Sequence, residues 1–193
     1  MGNPVKEFFD ALAPNWDRGS EDSLAHVLDL LKRLFIKPGS KVLDLACGTG
    51  IISKPLHDLF GAEVFGLDIS SEMIRIAKQK HEGYEGISFE VGDFFNMDFE
   101  EKFDWVVCHN AFPHFVDAEA FVDRLYDALK EGGEFVVFHS IGRARLEKHH
   151  EGLGPTISRD LDAVDIEAER FKRRFQILEA DESDTHFWIH GRK

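Results

Sequence analysis

The segment Val42-Leu43-Asp44-Leu45-Ala46-Cys47-Gly48-Thr49-Gly50 constrains this chain more than any other. Residues 42–46 read as a short buried strand that passes without a linker into a glycine-containing turn. Helix-patterned sequence, residues 51–60, follows at once, although Pro55 leaves only its first turn clean. The alternation then repeats. Residues 63–67 are a second strand, and Ser70 or Ser71 caps a helix carrying Met73, Ile74, Ile76 and Ala77. Residues 87–91, 105–108 and 134–138 supply three more strands. Between the last two, residues 117–130 form an amphipathic helix with Phe121, Leu125, Ala128 and Leu129 on one face, stopped by Gly132-Gly133. This order predicts an α/β fold, a doubly wound parallel sheet covered on both faces by helices. Two extra helices precede it, residues 5–13 and 20–35, the second with Leu24, Val27, Leu28, Leu31 and Leu34 on one stripe. After it, residues 142–165 are polar and hold at most short helices. Residues 171–178 and 185–190 read as a closing antiparallel pair.

The turn after the first strand carries the chemistry. Glycines there allow a tight reversal and let a ligand approach the main chain without meeting a Cβ. Asp68 ends the second strand, where a doubly wound domain places a carboxylate for ribose hydroxyls, and Asp93 ends the third. Asp44 lies inside an otherwise apolar strand, a placement that needs a hydrogen-bonded partner. Each aspartate alone is an ordinary cap or turn residue; three at the strand ends form a pattern. A pyrophosphate loop would read Gly-x-Gly-x-x-Gly, but Ala46 stands at its first glycine and Ser53 at its third, which argues against a nicotinamide-dependent oxidoreductase. No Gly-Lys-Ser/Thr follows, so it is not a phosphate loop either. The pattern suits a ligand with a ribose and an adenine but no phosphates.

Composition narrows the partners. With 23 Lys and Arg against 36 Asp and Glu, a formal charge of −13 repels polyanions and argues against nucleic acid. No apolar run reaches the roughly 18 residues of a membrane helix, and residues 1–10 lack the apolar stretch of a secretory signal. Cys47 and Cys108 both lie in apolar segments and read as reduced, buried thiols of a cytoplasmic protein. A small-molecule partner is expected, and the oligomeric state stays open.

Residues 42–50, Gly66-Leu67-Asp68-Ile69-Ser70-Ser71-Glu72-Met73, Val91-Gly92-Asp93-Phe94 and Leu129-Lys130-Glu131-Gly132-Gly133-Glu134-Phe135 resemble, in order, the motifs of class I S-adenosylmethionine-dependent methyltransferases of the small-molecule type. The resemblance covers roughly residues 40–140. It implies a Rossmann-like, mostly parallel sheet of seven strands whose last strand is antiparallel. It also implies one domain over residues 1–193: a helical lid segment at 1–37, a cofactor-binding core at 38–140, and a substrate-side segment with closing strands at 141–193. By the same resemblance Asp44, Ala46, Gly48 and Gly50 hold the methionine part of S-adenosylmethionine, and Asp68 holds the ribose. Ile69 and Met73 sandwich the adenine, with Asp93 accepting from its amino group and Phe94 beside it. His109 and Asn110 lie beneath the sulfonium. The N-terminal segment with Phe9 and Trp16 either folds over the cofactor as a lid or packs as a plain helix. Residues 160–170 depart from the family pattern, being acidic and weakly periodic.

Ten histidines are present, and His109, His114 and His139 fall at or after strand ends, where ligands bind in open α/β sheets. They are the candidate catalytic groups, as general base or as hydrogen-bond partners of the acceptor. A metal-binding cluster and solvated or core histidines are the competing readings. No short ligand spacing supports a metal, and none is assigned. Residues 143–150 are the one basic stretch; it either draws an anionic substrate or neutralises nearby carboxylates. The sequence therefore predicts methyl transfer to a small acceptor by in-line displacement. A cofactor-binding regulatory protein without transfer is the alternative, and a metal-dependent methyltransferase a weaker one.

Overall fold

A computed structural model describes residues 2–18 and 21–193. The chain divides into two compact units, Met1–Asp98 and Phe99–Lys193. In the first, α1 (Pro4–Leu12) and a 3-10 turn (Ala13–Asn15) precede α2 (Glu21–Leu31). Then follow β1 (Lys41–Leu45), α3 (Ser53–Phe60), β2 (Glu63–Asp68), α4 (Ser71–Lys80) and β3 (Ile87–Val91). The expected start of the second helix at Ser20 lies outside the described residues. Its end is earlier than predicted, at Leu31 rather than residue 35. β1 and β3 both pair parallel with β2, so that Asp44 stands beside Gly66 and Asp68 beside Val91. Val42, Leu43, Leu45, Leu56 and Ile74 are buried, as the near-continuous apolar strand requires.

The second unit holds β4 (Phe103–His109), a 3-10 turn (Phe112–His114), α5 (Ala118–Ala128), β5 (Leu129–His139), α6 (Arg143–His150), α7 (Val164–Lys172), β6 (Gln176–Glu182) and β7 (Phe187–Arg192). β4 and β5 are parallel, while β7 runs antiparallel to both β5 and β6. The strand order is β3-β2-β1-β4-β5-β7-β6: a doubly wound, mostly parallel seven-stranded sheet with helices on both faces and an antiparallel close.

Other boundaries also differ from the sequence reading: the closing strand expected at 171–178 is β6 at Gln176–Glu182, because residues 171 and 172 belong to α7. Helix α5 stops at Ala128, and the expected glycine stop belongs to β5, where Gly132 has φ 72°. The cap residue Leu129 closes the last turn with its N–H on the Tyr126 carbonyl, and Lys193 Nζ adds bonds to the carbonyls of Tyr126 (2.7 Å) and Leu129 (2.9 Å). Within and beyond the weakly periodic stretch 160–170, whose architecture the sequence left open, residues 164–172 form α7. Its acidic face is explained by Glu167, which is fully buried and accepts from Arg159 (2.6 and 3.2 Å) and from Asp162 N (3.1 Å), with Arg170 beside it (3.2 Å). A buried carboxylate persists only with such partners.

The core of this unit is a phenylalanine cluster. Phe171 of α7 packs on Phe112 (5.5 Å between centroids), Phe121 (6.3 Å) and Phe135 (5.0 Å, nearly parallel). Replacing Phe171 with Ala is expected to lower the unfolding free energy by about 3–5 kcal/mol, the range for buried Phe truncations, in urea titration. A loss below about 1 kcal/mol would place Phe171 outside the core, since surface changes fall in that range.

Candidate functional site

The end of β1 turns through left-handed backbone at Ala46 (φ 55°), Gly48 (φ 55°) and Gly50 (φ 78°). Only glycine adopts that region freely, so Ala46 carries local strain of about 1–2 kcal/mol. The turn is held from β2. Asp68 Oδ2 accepts from Gly48 N (2.8 Å) and its Oδ1 from Ser70 N (2.8 Å). One carboxylate thus ties the glycine turn to the start of α4. Ser70 caps that helix by accepting from Met73 N (3.1 Å) and donates its hydroxyl to Asp10 (2.6 Å).

Asp44 is buried in β1, where its Oδ2 accepts from the Ser53 hydroxyl (2.5 Å) at the start of α3. Burial pushes its pKa up to about 7, with the Ser53 bond opposing and the Asp68 charge adding to the rise. Burial raises Asp68 to about 6 against the two backbone donors. The same desolvation, beside these two carboxylates, holds the Cys47 thiol well above its ordinary value.

The two glycines serve different ends. A Cβ on Gly48 would meet only Trp16 Nε1, at 3.5 Å, so the turn is open on that side. A Cβ on Gly50 would strike His81 and Phe89 at 2.8 and 2.9 Å, so here glycine permits packing of α4 and β3 behind the turn. Trp16 is partly exposed (42%) and meets Phe9 edge-on at 5.6 Å. Its segment is pinned within this unit. Asp10 takes bonds from Ser70, Glu72 N and Lys6; against burial, these donors bring its pKa down to about 2. Asp17 accepts from Thr49 Oγ1 (2.6 Å) and pairs with Lys80 (3.0 Å). The N-terminal segment is therefore docked beside the glycine turn. Asp10 and Asp17 carried no local spacing signal that would have singled them out.

Of the expected adenine contacts, Ile69 is half-buried, while Met73 and Phe94 are buried. Asp93 accepts from Phe95 N (3.1 Å) and Asn96 Nδ2 (2.7 Å), a turn-stabilising role. Trp16, Asp44, Ala46, Gly48, Gly50, Asp68, Ile69, Met73, Asp93 and Phe94 all belong to the Met1–Asp98 unit.

The candidate histidines belong to the other unit. His109 ends β4, stacks on Phe138 (4.6 Å) and meets Ser140 Oγ through Nε2 (3.2 Å). Burial lowers its pKa to about 3. His114 donates from Nδ1 to Ile157 O (2.9 Å), packs on His150 (5.0 Å) and is lowered by burial to about 4. His139 is fully buried, and among the described residues neither ring nitrogen has a partner. All three imidazoles are neutral at physiological pH. No group of three or more His, Cys, Asp or Glu among the described residues is arranged to hold a metal ion. In the basic stretch, Arg143 is engaged by Glu147 (2.9 Å) and Glu182 (3.2 Å), which favours the neutralising role for that residue.

A glycine turn clasped by a buried strand-end carboxylate, on a seven-stranded sheet with an antiparallel close, is the architecture of a class I methyltransferase. A family model for the methyltransferase domain matches residues 36–171, and the chain belongs to that S-adenosylmethionine-dependent family. It is 33% identical over 145 residues to a ubiquinone biosynthesis O-methyltransferase of Pseudomonas putida, covering 70% of this chain and 61% of that one. It is 34% identical over 114 residues to phosphoethanolamine N-methyltransferase 2 of Caenorhabditis elegans, covering 57% of this chain and 26% of that one. The chain thus spans less than two thirds of these relatives' length. Magnesium protoporphyrin IX methyltransferase from Synechocystis PCC 6803, solved with bound SAH, shares the fold with a TM-score of 0.74 at 23% identity, over 98% of each chain.

The residues present fit a cationic, hydroxylated cofactor. Each Asp68 oxygen accepts one backbone N–H and keeps a further acceptor position, enough for a pair of hydroxyls. Asp44 and Asp68 are two raised carboxyls with no cation paired to them among the described residues. A carboxyl whose folded pKa lies above its unfolded value favours folding in acid and loses that contribution as pH rises through the folded value. Asp44→Asn keeps an acceptor for Ser53 and removes the charge. It is expected to match the parent near pH 4 and to exceed it in stability near pH 8, by about 1.4 kcal/mol for every tenfold by which folding weakens the acid. Equal pH profiles for parent and variant, in denaturant titrations, would mean that Asp44 ionises freely in the fold.

Proposed function

We propose that residues 1–193 act as one methyltransferase domain that transfers a methyl group from S-adenosylmethionine to a small-molecule acceptor. The observation that carries this reading is the Asp68 clasp, a desolvated carboxylate with acceptor capacity left over, fixed at the glycine turn by Gly48 N and Ser70 N. Bound S-adenosylmethionine supplies an electrophilic methyl on a sulfonium with a good leaving group. The chain's part is to bind, align and keep water out, which accounts for much of the rate in such displacements.

Asp68 receives the ribose hydroxyls, and Asp44, Ala46, Gly48 and Gly50 define the place of the methionine part. Ile69, Met73, Asp93 and Phe94 form the adenine end, and Trp16 covers the turn from the N-terminal segment. Paired strongly with two hydroxyls, a carboxylate contributes charge-assisted bonds of about 1.5–3 kcal/mol. His109 and His114 are assigned to the acceptor, whereas His139, also a candidate by its place at the end of β5, is fully enclosed. With pKa values of about 3 and 4, His109 and His114 stay neutral and hydrogen-bond a substrate rather than store protons. The matched relatives are named for O- and N-methylation, so an oxygen or nitrogen of a small molecule is the acceptor class we favour.

Incubation with methyl-labelled S-adenosylmethionine and fractionated cell extract tests the reading. Label should enter the small-molecule fraction, where mass spectrometry identifies the acceptor. Cofactor binding with no label moved would favour a regulatory protein, and label only in macromolecules would overturn the small-molecule assignment. Asp68→Ala is expected to weaken cofactor binding at least about tenfold in calorimetry, as the loss of about 1.5 kcal/mol or more requires. Unchanged affinity would remove Asp68 from the site. Because the raised carboxyls ionise when a cation is bound, binding near pH 6.5 should release protons and near pH 8.5 should not, within about 0.2 proton per site. Buffers of different ionisation enthalpy read this directly.

A further inference from the structure

The loop after β4 and the end of β5 are joined by a hydrogen-bond chain whose donors can be assigned one by one. Ser140 N donates to Asn110 Oδ1 (2.9 Å). A backbone N–H cannot accept, so this bond fixes which end of the Asn110 amide is oxygen. Asn110 Nδ2 therefore faces Ser140 Oγ and donates to it at 3.2 Å. The geometry is held by unusual backbone, because Asn110 has φ 53°, a region that asparagine tolerates better than most residues. Ser140 is buried at 8% exposure and has a single hydroxyl proton. Among the described residues, the acceptor left for that proton is His109 Nε2, 3.2 Å away. The opposite arrangement, with His109 Nε2–H donating to Ser140, would strand the buried hydroxyl proton without an acceptor.

We propose that Asn110 and Ser140 form a positioning relay that holds His109 as its Nδ1–H tautomer, so that this imidazole presents an N–H donor and does not serve as a general base. The order of donation is Asn110 amide to Ser140 hydroxyl to His109 Nε2. Stacking on Phe138 holds the ring plane, and burial keeps the ring neutral so that the tautomer persists through physiological pH. The other charged or titratable groups that face this region are His139 at the end of β5, His114 in the 3-10 turn, His150 of α6 and Arg159. Charge on His114, His150 or Arg159, like charge on His109 itself, opposes protonation of His139, and burial alone lowers His109.

The relay deepens the methyl-transfer reading in one respect only. If His109 meets the acceptor, it binds an atom that accepts a hydrogen bond, such as an ether, carbonyl or carboxylate oxygen, and not the proton to be lost. Asn110 and Ser140 are positioning residues, acting through His109.

Nitrogen NMR of the ring-labelled full chain reads the tautomer without cofactor or acceptor, so failure of the relay is distinguishable from failure of the methyl-transfer reading. Signals are assigned by their loss in His109→Gln. In the unsubstituted protein, His109 should show a protonated Nδ1 and an unprotonated Nε2, with no titration between about pH 5 and 8. Ser140→Ala should move it toward a tautomer mixture, and Ser140→Thr, which keeps the hydroxyl, should restore the original pattern. Asn110→Asp is the sharper test. A carboxylate there accepts the Ser140 proton, so Ser140 must turn and accept from His109, and the tautomer should invert to Nε2–H. A protonated Nε2 in the unsubstituted protein, or an unchanged tautomer in folded Ser140→Ala and Asn110→Asp, would overturn the relay.

Discussion

The local order of the Met1–Asp98 unit around its glycine turn rests on one carboxylate. Asp68 holds the amide of Gly48 with one oxygen and the amide of Ser70 with the other. Those two amides belong to the turn after β1 and the start of α4. Without the carboxylate, the strained Ala46–Gly50 turn would keep only the backbone bond of Cys47 N to Leu67 O (3.1 Å) as a link to β2, and Ser70 would lose a bond that sets it over its own helix. Ser70 in turn anchors Asp10, so the placement of α1 and of Trp16 is reached through the same group. Charge-assisted bonds from backbone N–H to carboxylate are among the stronger ones available, which suits a clasp made of only two.

That clasp has an electrostatic consequence. Asp68 and Asp44 are both desolvated; the Asp68 charge further raises Asp44, and the Asp10 charge further raises Asp68. Their pKa values, about 6 and about 7, express an arrangement that is incomplete with protein groups alone. Contrast Glu167, equally buried but met by two arginines and a backbone amide. Glu167 is a closed structural unit. The aspartate pair retains acceptor capacity and net charge, which is what a site for a positively charged, hydroxyl-bearing ligand needs.

Where a feature was legible in the sequence, its signal was local. Val42-Leu43-Asp44-Leu45 running into Cys47-Gly48-Thr49-Gly50 shows a strand, a turn and a stranded acid within nine residues. The doubly wound order and the antiparallel close follow from such segments in series. The misread features are settled at long range. The end of helix α5 at Ala128 is reinforced by Lys193, distant in sequence, which donates to the Tyr126 and Leu129 carbonyls. Residues 164–172 become a helix despite weak periodicity, because Glu167 faces inward to Arg159 and Arg170, so an acidic residue stands where an apolar one would be read. Gly50 looked like a ligand-facing glycine, yet the space behind it is taken by His81 and Phe89, side chains 31 and 39 residues further on. Asp10 and Asp17 were invisible for the same reason: their partners are Ser70, Thr49 and Lys80.

The two units differ in how they handle polar groups, and the difference matches their assigned tasks. The Met1–Asp98 unit buries carboxylates and leaves them under-satisfied, a condition relieved by a cation. The Phe99–Lys193 unit buries imidazoles and keeps them neutral: His109 by desolvation, His114 by desolvation that outweighs its bond to Ile157, His139 by complete enclosure. Neutral imidazoles discriminate by direction and not by charge, because each offers one donor and one acceptor whose order is set by its neighbours. A cofactor that brings its own electrophile needs charge complementarity for binding. An acceptor that must present one lone pair along one line needs directional hydrogen bonds, and these a set of fixed tautomers can provide.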